Sequence, residues 1–249
     1  MNWAIVLAGS LNEGKLQECS KEKYEALIKI GERTMISYVI AALQESKSIE
    51  RIIVVGPEQI KNTYKENDIT LVPPGKDILE SILNGIKQLK SNRQRGLIIT
   101  SDIPLIKGYM IDEFIEECKE LKGDIFYPLI CKELNDLYYP GVERTYVNLK
   151  DGIYTGGNIF MLNPSIIEKS LKPAQRLIEM RKSPLRLVKY IGIKYIFKYI
   201  FHSLTLIEIE NRVEELLGTK GKAILDRHPE IGIDVDKPSD LKVVREKLT

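Results

Sequence analysis

The sequence predicts an α/β fold: one three-layer domain with a mostly parallel, mixed sheet and helices on both faces. Three observations predict it. Apolar runs of strand length recur along the chain, segments of helical period alternate with them, and Gly or Pro closes most of the runs. That alternation builds right-handed βαβ units around a covered sheet.

The elements follow in order. Residues 3–8 (WAIVLA) form a buried strand ending in Gly9-Ser10; without a positive leading region, this stretch reads as a first strand rather than a signal peptide. Residues 34–43 have apolar side chains at helical spacing behind a Thr34 cap. Residues 51–55 are a strand stopped by Gly56-Pro57, and 69–72 a short strand closed by Pro73-Pro74-Gly75. Residues 77–89 form an amphipathic helix. Residues 96–100 (GLIIT) are a buried strand running into Ser101-Asp102-Ile103-Pro104. A helix over 109–121 and a strand over 124–130 follow. Residues 132–149 are mixed, and Thr155-Gly156-Gly157-Asn158 leads into a strand at 159–162. Residues 173–218 read as a helical insertion. Strands at 222–225 and 231–235 and a helix from Pro238 complete a single domain over 1–249.

Composition narrows the function classes. The 249 residues are 43% hydrophobic and 29% charged, which allows a normal core. A net charge of +2 lacks the basic excess of a nucleic-acid binder. Cys19, Cys118 and Cys131 show no C-x-x-C spacing, and His202 and His228 stand apart from them. That pattern argues against zinc and for reduced thiols in the cytoplasm. A metal here is a hard cation on carboxylates, such as Mg²⁺.

Three places carry candidate chemistry. The loop Leu7-Ala8-Gly9-Ser10-Leu11-Asn12-Glu13-Gly14-Lys15 follows the first strand, where α/β sheets hold ligands. It departs from a Walker loop at Leu16, so a phosphate cradle and a plain polar connection both stand. Asp102 follows a buried strand, where a carboxylate projects into the crevice; an Asx-turn is the alternative. Asp234 and Asp236 alternate with aliphatics and share one side, so they repel unless a cation or water separates them. Asp236 as the cap of the last helix is the alternative, with Ser239 and Asp240 then surface residues.

The runs AIVLAGS, YEALIKIGERTMISYVIAAL, IITSDIPLI, TGGNIFML and IDVDKPSDL, in that order, resemble the MobA-like NTP transferase superfamily. The resemblance covers residues 4–162 and 222–248. It implies a GT-A/Rossmann-like nucleotide-diphospho-sugar transferase architecture and a Mg²⁺-dependent nucleotidyltransferase. Such an enzyme moves a nucleoside monophosphate from an NTP to a phosphorylated small-molecule acceptor and releases pyrophosphate. The resemblance further implies that Leu7, Ala8, Gly9, Ser10 and Ser101 lie along the nucleotide. Gly75, Ser81 and Gly85 would pass its base, and Gly156, Gly157 and Asn158 would face the acceptor. Asp102 and Asp236 match the metal ligands, with Asp234 in reserve. One departure concerns the phosphate clamp: Glu25 stands near the place where the family keeps a lysine, leaving Lys15 or Lys23 to meet the triphosphate.

Two other classes compete. A GT-A glycosyltransferase would use a nucleotide-sugar, typically through a D-x-D that this chain lacks at residues 101–104. A degenerate nucleotide-binding or membrane-surface protein would lack catalysis. The basis for the latter is residues 185–206, a basic amphipathic stretch whose Lys194, Lys198 and His202 recur every four residues. A buried helix pair or homodimer seam with snorkelling lysines is the favoured reading there. Tyr138-Tyr139, Glu116-Glu117, Glu214-Glu215 and His228 read as packing or solvated surface.

Overall fold

The computed structural model describes residues 2–63, 69–89, 94–180 and 184–249. Part of the predicted insertion, 181–183, lies outside the described residues. The expected α/β architecture is present. The strands, in chain order, are β1 (Asn2–Leu7), β2 (Lys29–Ile30), β3 (Arg33–Thr34), β4 (Ile49–Val55), β5 (Thr70–Val72), β6 (Gly96–Thr100), β7 (Ile125–Cys131), β8 (Val147–Leu149), β9 (Gly152–Gly156), β10 (Ile159–Leu162) and β11 (Gly221–Leu225). The α-helices are α1 (Met35–Glu45), α2 (Ile78–Ile86), α3 (Gly108–Lys119), α4 (Lys132–Tyr138), α5 (Ile167–Met180), α6 (Pro184–Ile191), α7 (Ile193–Ile200), α8 (Leu206–Leu217) and α9 (Pro238–Leu248).

The main sheet has the order β5-β4-β1-β6-β10-β7-β9-β8, with β11 added to β7. β5, β4, β1 and β6 run parallel. β10 inserts antiparallel between β6 and β7, and β9 also runs antiparallel to β7. Alternation within the strands sorts the core onto two faces. Val6 and Ile99 join Ile40 and Phe114 of α1 and α3. Ile5, Ile53 and Ile98 meet Ile82 and Ile86 of α2 on the other side.

A third cluster fixes the C-terminal segment. Ile233 and Val235 are fully buried with Leu16, Met35 and Leu241. Each such burial contributes about 1.5–3 kcal/mol, which holds the intervening Asp234 and the following Asp236 at the sheet's end.

Four expectations change. Residues 231–235 form no strand: a 3₁₀ turn over Pro229–Gly232 leads into an extended segment outside the sheet. Its alternating burial comes from packing rather than a ladder. Asp240 is buried, not a surface residue; its carboxylate accepts from the backbone N–H groups of Asp236 (3.2 Å) and Lys237 (3.1 Å). The helical run begins at Ile167 rather than 173, with Pro173 inside α5. Within the stretch read as a buried helix pair or homodimer seam, α7 contains no buried residue.

Candidate active site

The parallel strands deliver their carboxyl ends to one cleft, a cavity of about 250 Å³. Its floor is Leu7, Thr100, Ser101 and Asp102; one wall is Gly9, Ser10 and Glu25; the other runs from Pro74 to Ile78 with Ser81. Two loops meet closely across it, because a Cβ on Gly9 would lie 2.8 Å from that of Pro74. Any side chain at position 9 would push the walls apart. Ser81 Oγ accepts from the Gly75 N–H at 3.0 Å, and Asp77 caps α2 by accepting from the Glu80 N–H at 2.8 Å. Those two bonds hold the Pro74–Ile78 wall against the helix start.

The loop after β1 folds around Asn12, which is buried. Its amide donates to the carbonyls of Ser20 (3.1 Å) and Glu22 (3.0 Å), while Gln17 donates to the Asn12 carbonyl (2.7 Å). The chain therefore doubles back, and the Glu25 N–H donates to the Ser10 carbonyl at 3.2 Å. This places the Glu25 carboxyl in the cleft.

The carboxylates gather beside it. Asp102, Asp234 and Asp236 can each offer one oxygen within 4.8 Å of the others. The Val235 N–H donates to the Asp102 carbonyl at 2.9 Å and ties the C-terminal segment to the end of β6. Thr100 Oγ donates to the Asp102 carboxylate. Burial raises the Asp102 pKa, with Asp236 adding to the rise and the Thr100 bond opposing it. Glu25 is pushed up to about 7, first by burial, then by Asp102 and Asp236. Glu25 and Asp102 thus sit with reduced solvation beside Asp234, while Asp236 reaches the exposed edge of the group.

Arg144 answers part of that charge. Its guanidinium, mostly buried, pairs with Asp234; burial lowers its pKa, and the charges of Asp236 and Asp102 oppose that fall. Its Nε has no hydrogen-bond partner among the described residues. No local pattern marks Arg144, a single basic residue in a mixed loop whose role depends on the distant Asp234.

Of the residues expected on the nucleotide, Leu7, Gly9, Ser10, Gly75, Ser81 and Ser101 line the cavity. Ala8 lies fully buried behind them. Gly85 is outside the lining, on the face of α2 against Ile5. Neither Lys15 nor Lys23 lines the cavity, whereas Lys76 does; Lys23 stacks over the Tyr24 ring. Asn158 adjoins the site, its carbonyl accepting from the Thr100 N–H at 3.1 Å. Its buried amide nitrogen lacks a partner among the described residues. Gly156 and Gly157 are packed beneath Tyr127 and Ile231. Tyr139, expected to pack in a loop, is buried and donates to Glu230 at 2.7 Å.

Comparison with known proteins meets this geometry. A hypothetical transferase from Thermus thermophilus superposes with a TM-score of 0.85 at 29% identity, over 97% of this chain and 100% of that one. A CMP:2-keto-3-deoxy-manno-octonic acid synthetase complexed with CTP shares the fold, with a TM-score of 0.65 at 11% identity over 99% and 98% of the two chains. In sequence, the 2-C-methyl-D-erythritol 4-phosphate cytidylyltransferase of Clostridioides difficile (strain 630) is 30% identical over 127 residues, 48% of this chain and 52% of the relative. The chain thus spans about half the length of that curated relative. The MobA-like NTP transferase domain matches residues 4–177, and the chain belongs to that family.

Proposed function

We propose that the cleft transfers a nucleoside monophosphate from an NTP to a phosphorylated small-molecule acceptor. The observation that carries this is the grouping of Asp102, Asp234 and Asp236 at the end of β6, beside the glycine-bearing loop. An oxygen of the acceptor phosphate attacks the α-phosphorus. The bond to the β-phosphate bridging oxygen breaks, and pyrophosphate leaves with that electron pair.

The donor set fits a magnesium ion: three carboxylates within reach of one another supply the hard oxygen ligands it prefers. Asp102 and Asp236 would hold it, with Asp234 divided between the ion and Arg144. Bound there, the ion would neutralise charge on the triphosphate and orient its oxygens.

The chain's own groups do the rest. The Gly9-Ser10 backbone brings N–H groups to the phosphates. Lys76 lines the cavity, Arg144 is paired with Asp234 of the adjoining carboxylates, and Lys15 and Lys23 stay outside the lining, so the first two are the cations assigned that role. Arg144 needs no reorganisation, because its position is fixed before substrate arrives. The Asn158 amide, unpartnered among the described residues, is a donor for the acceptor phosphate. Glu25 in the cleft opposes the triphosphate until the cation or a proton offsets it. The relative's cytidylyl transfer to a polyol phosphate makes CTP the donor to test first.

The test is pyrophosphate release from each of the four NTPs, with Mg²⁺, against a panel of sugar and polyol phosphates. One NTP giving release only with an acceptor is the expected result. Release of a nucleoside diphosphate from nucleotide-sugars, with no NTP turned over, would favour the glycosyltransferase instead.

A further inference from the structure

The helical layer presents a surface that the transfer reaction does not use. Arg212 of α8 anchors the α6–α7 turn from below, donating to the carbonyls of Ile191 (2.6 Å) and Tyr190 (2.7 Å). Its guanidinium also lies over the Tyr195 ring at 5.4 Å. Lys198 pairs with Glu208 at the start of α8. Tyr195 and Lys198 therefore mark the inward side of α7.

At 100° per residue, Ile193, Phe197 and Ile200 fall on the opposite side. Those three are 64%, 53% and 58% exposed, and the next residue, Phe201, is 73% exposed. A contiguous aromatic and aliphatic face left in water is costly and marks a contact surface. No helix among the described residues is long and apolar enough to cross a membrane, so this face can lie on a surface but not span one.

Charge selects the occupant. Residues 184–207 contain Arg186, Lys189, Lys194 and Lys198 and no Asp or Glu. Lys198 is engaged with Glu208, but Lys189 and Lys194 are exposed. In a two-fold dimer the same patch meets itself, which would set these cations against their copies. An anionic bilayer offers the complement to both parts: acyl region for Phe197 and Ile200, phosphate for the lysines.

We propose that α7 and its flanking turns lie in the interface of an anionic lipid surface, held from behind by Arg212 and Glu208. The idea is independent of the transfer chemistry, so either can fail alone.

The test is co-sedimentation of the full chain with phosphatidylcholine vesicles, with and without phosphatidylglycerol, beside sedimentation velocity of the free protein. The expected result is a monomer that binds the phosphatidylglycerol vesicles, less so at high salt. F197E/I200E should weaken that binding at least about tenfold. K189E/K194E keeps the apolar face and should lose the preference for anionic vesicles, which serves if the first variant does not fold. Absence of binding to anionic vesicles overturns the proposal, as does equal binding to both compositions. A solution dimer dissolved by F197E/I200E also overturns it and gives the face to a second copy.

Discussion

Glu25 and Arg144 set the electrostatics of the cleft from opposite sides. With its pKa raised from an ordinary 4.5 to about 7, Glu25 binds its proton more tightly folded than unfolded. Its contribution to stability is full below the ordinary value and is lost as pH rises through about 7. Glu25→Gln should therefore raise the melting temperature in EDTA at pH 8 and not at pH 4. The gain is about 1–2 kcal/mol after solvent screening of this half-buried group. Equal melting shifts at both pH values would remove Glu25 from the charge balance. Arg144→Ala leaves Asp234 without its guanidinium. Removing one partner of a largely buried pair costs about 3 kcal/mol. Calorimetry should find that loss in EDTA and partial recovery with Mg²⁺, because the freed carboxylate can then take the cation. The sequence marked Asp102, Asp234 and Asp236 because strand ends and alternation are local patterns. It could not mark Arg144, whose partner lies ninety residues away across a loop.

At the scale of elements, the strands that read best were β6 and β10, continuous apolar runs with turn residues at their ends. Residues 231–235 alternate just as well and still form no strand, because alternation reports two differing environments, not a hydrogen-bonded neighbour. β9 went unread for the converse reason: Gly152 and Gly156 frame it like a loop, and its pairing with β7 and β8 makes it a strand. Asp240 shows the same dependence, looking exposed in sequence yet holding the backbone at Asp236 and Lys237. Asp240→Ala should cost about 1–2 kcal/mol. It should also raise the Mg²⁺ concentration needed for half-maximal turnover, as Asp236 loosens; an unchanged metal titration would separate the α9 cap from the site. Gly85 sets two effects in competition. Alanine gains about 1 kcal/mol of helix propensity, but its Cβ would sit 2.8 Å from Ile5, and overpacking costs about 1–3 kcal/mol. Gly85→Ala is expected to lower the denaturation midpoint, the opposite of its effect in an isolated helix.

For the whole molecule, the order β5-β4-β1-β6 with β10 turned antiparallel accounts for where the chemistry sits. Parallel strands send their carboxyl ends, and the loops after them, to the same edge. The loop after β1, the Pro74–Ile78 wall and Asp102 come from three separate βα units and meet only there. The C-terminal segment adds Asp234 and Asp236 by packing Ile233 and Val235 into the core, so both ends of the sequence are needed for one set of carboxylates. That fold class was legible in the rhythm of the sequence, and strand ends marked the loop after β1 and Asp102 as crevice residues; the part of the Pro74–Ile78 wall was legible only through resemblance to a family. The claim that rests on this convergence is that Asp102 and Asp236 act together in nucleotidyl transfer. The most direct measurement is acceptor-dependent pyrophosphate release with Mg²⁺ by the wild-type chain and by the D102A/D236A variant, each first shown to fold. Joint action of Asp102 and Asp236 predicts turnover in the wild type that disappears with EDTA and is reduced at least about a thousandfold in the variant. Turnover that survives in the folded double variant would contradict it.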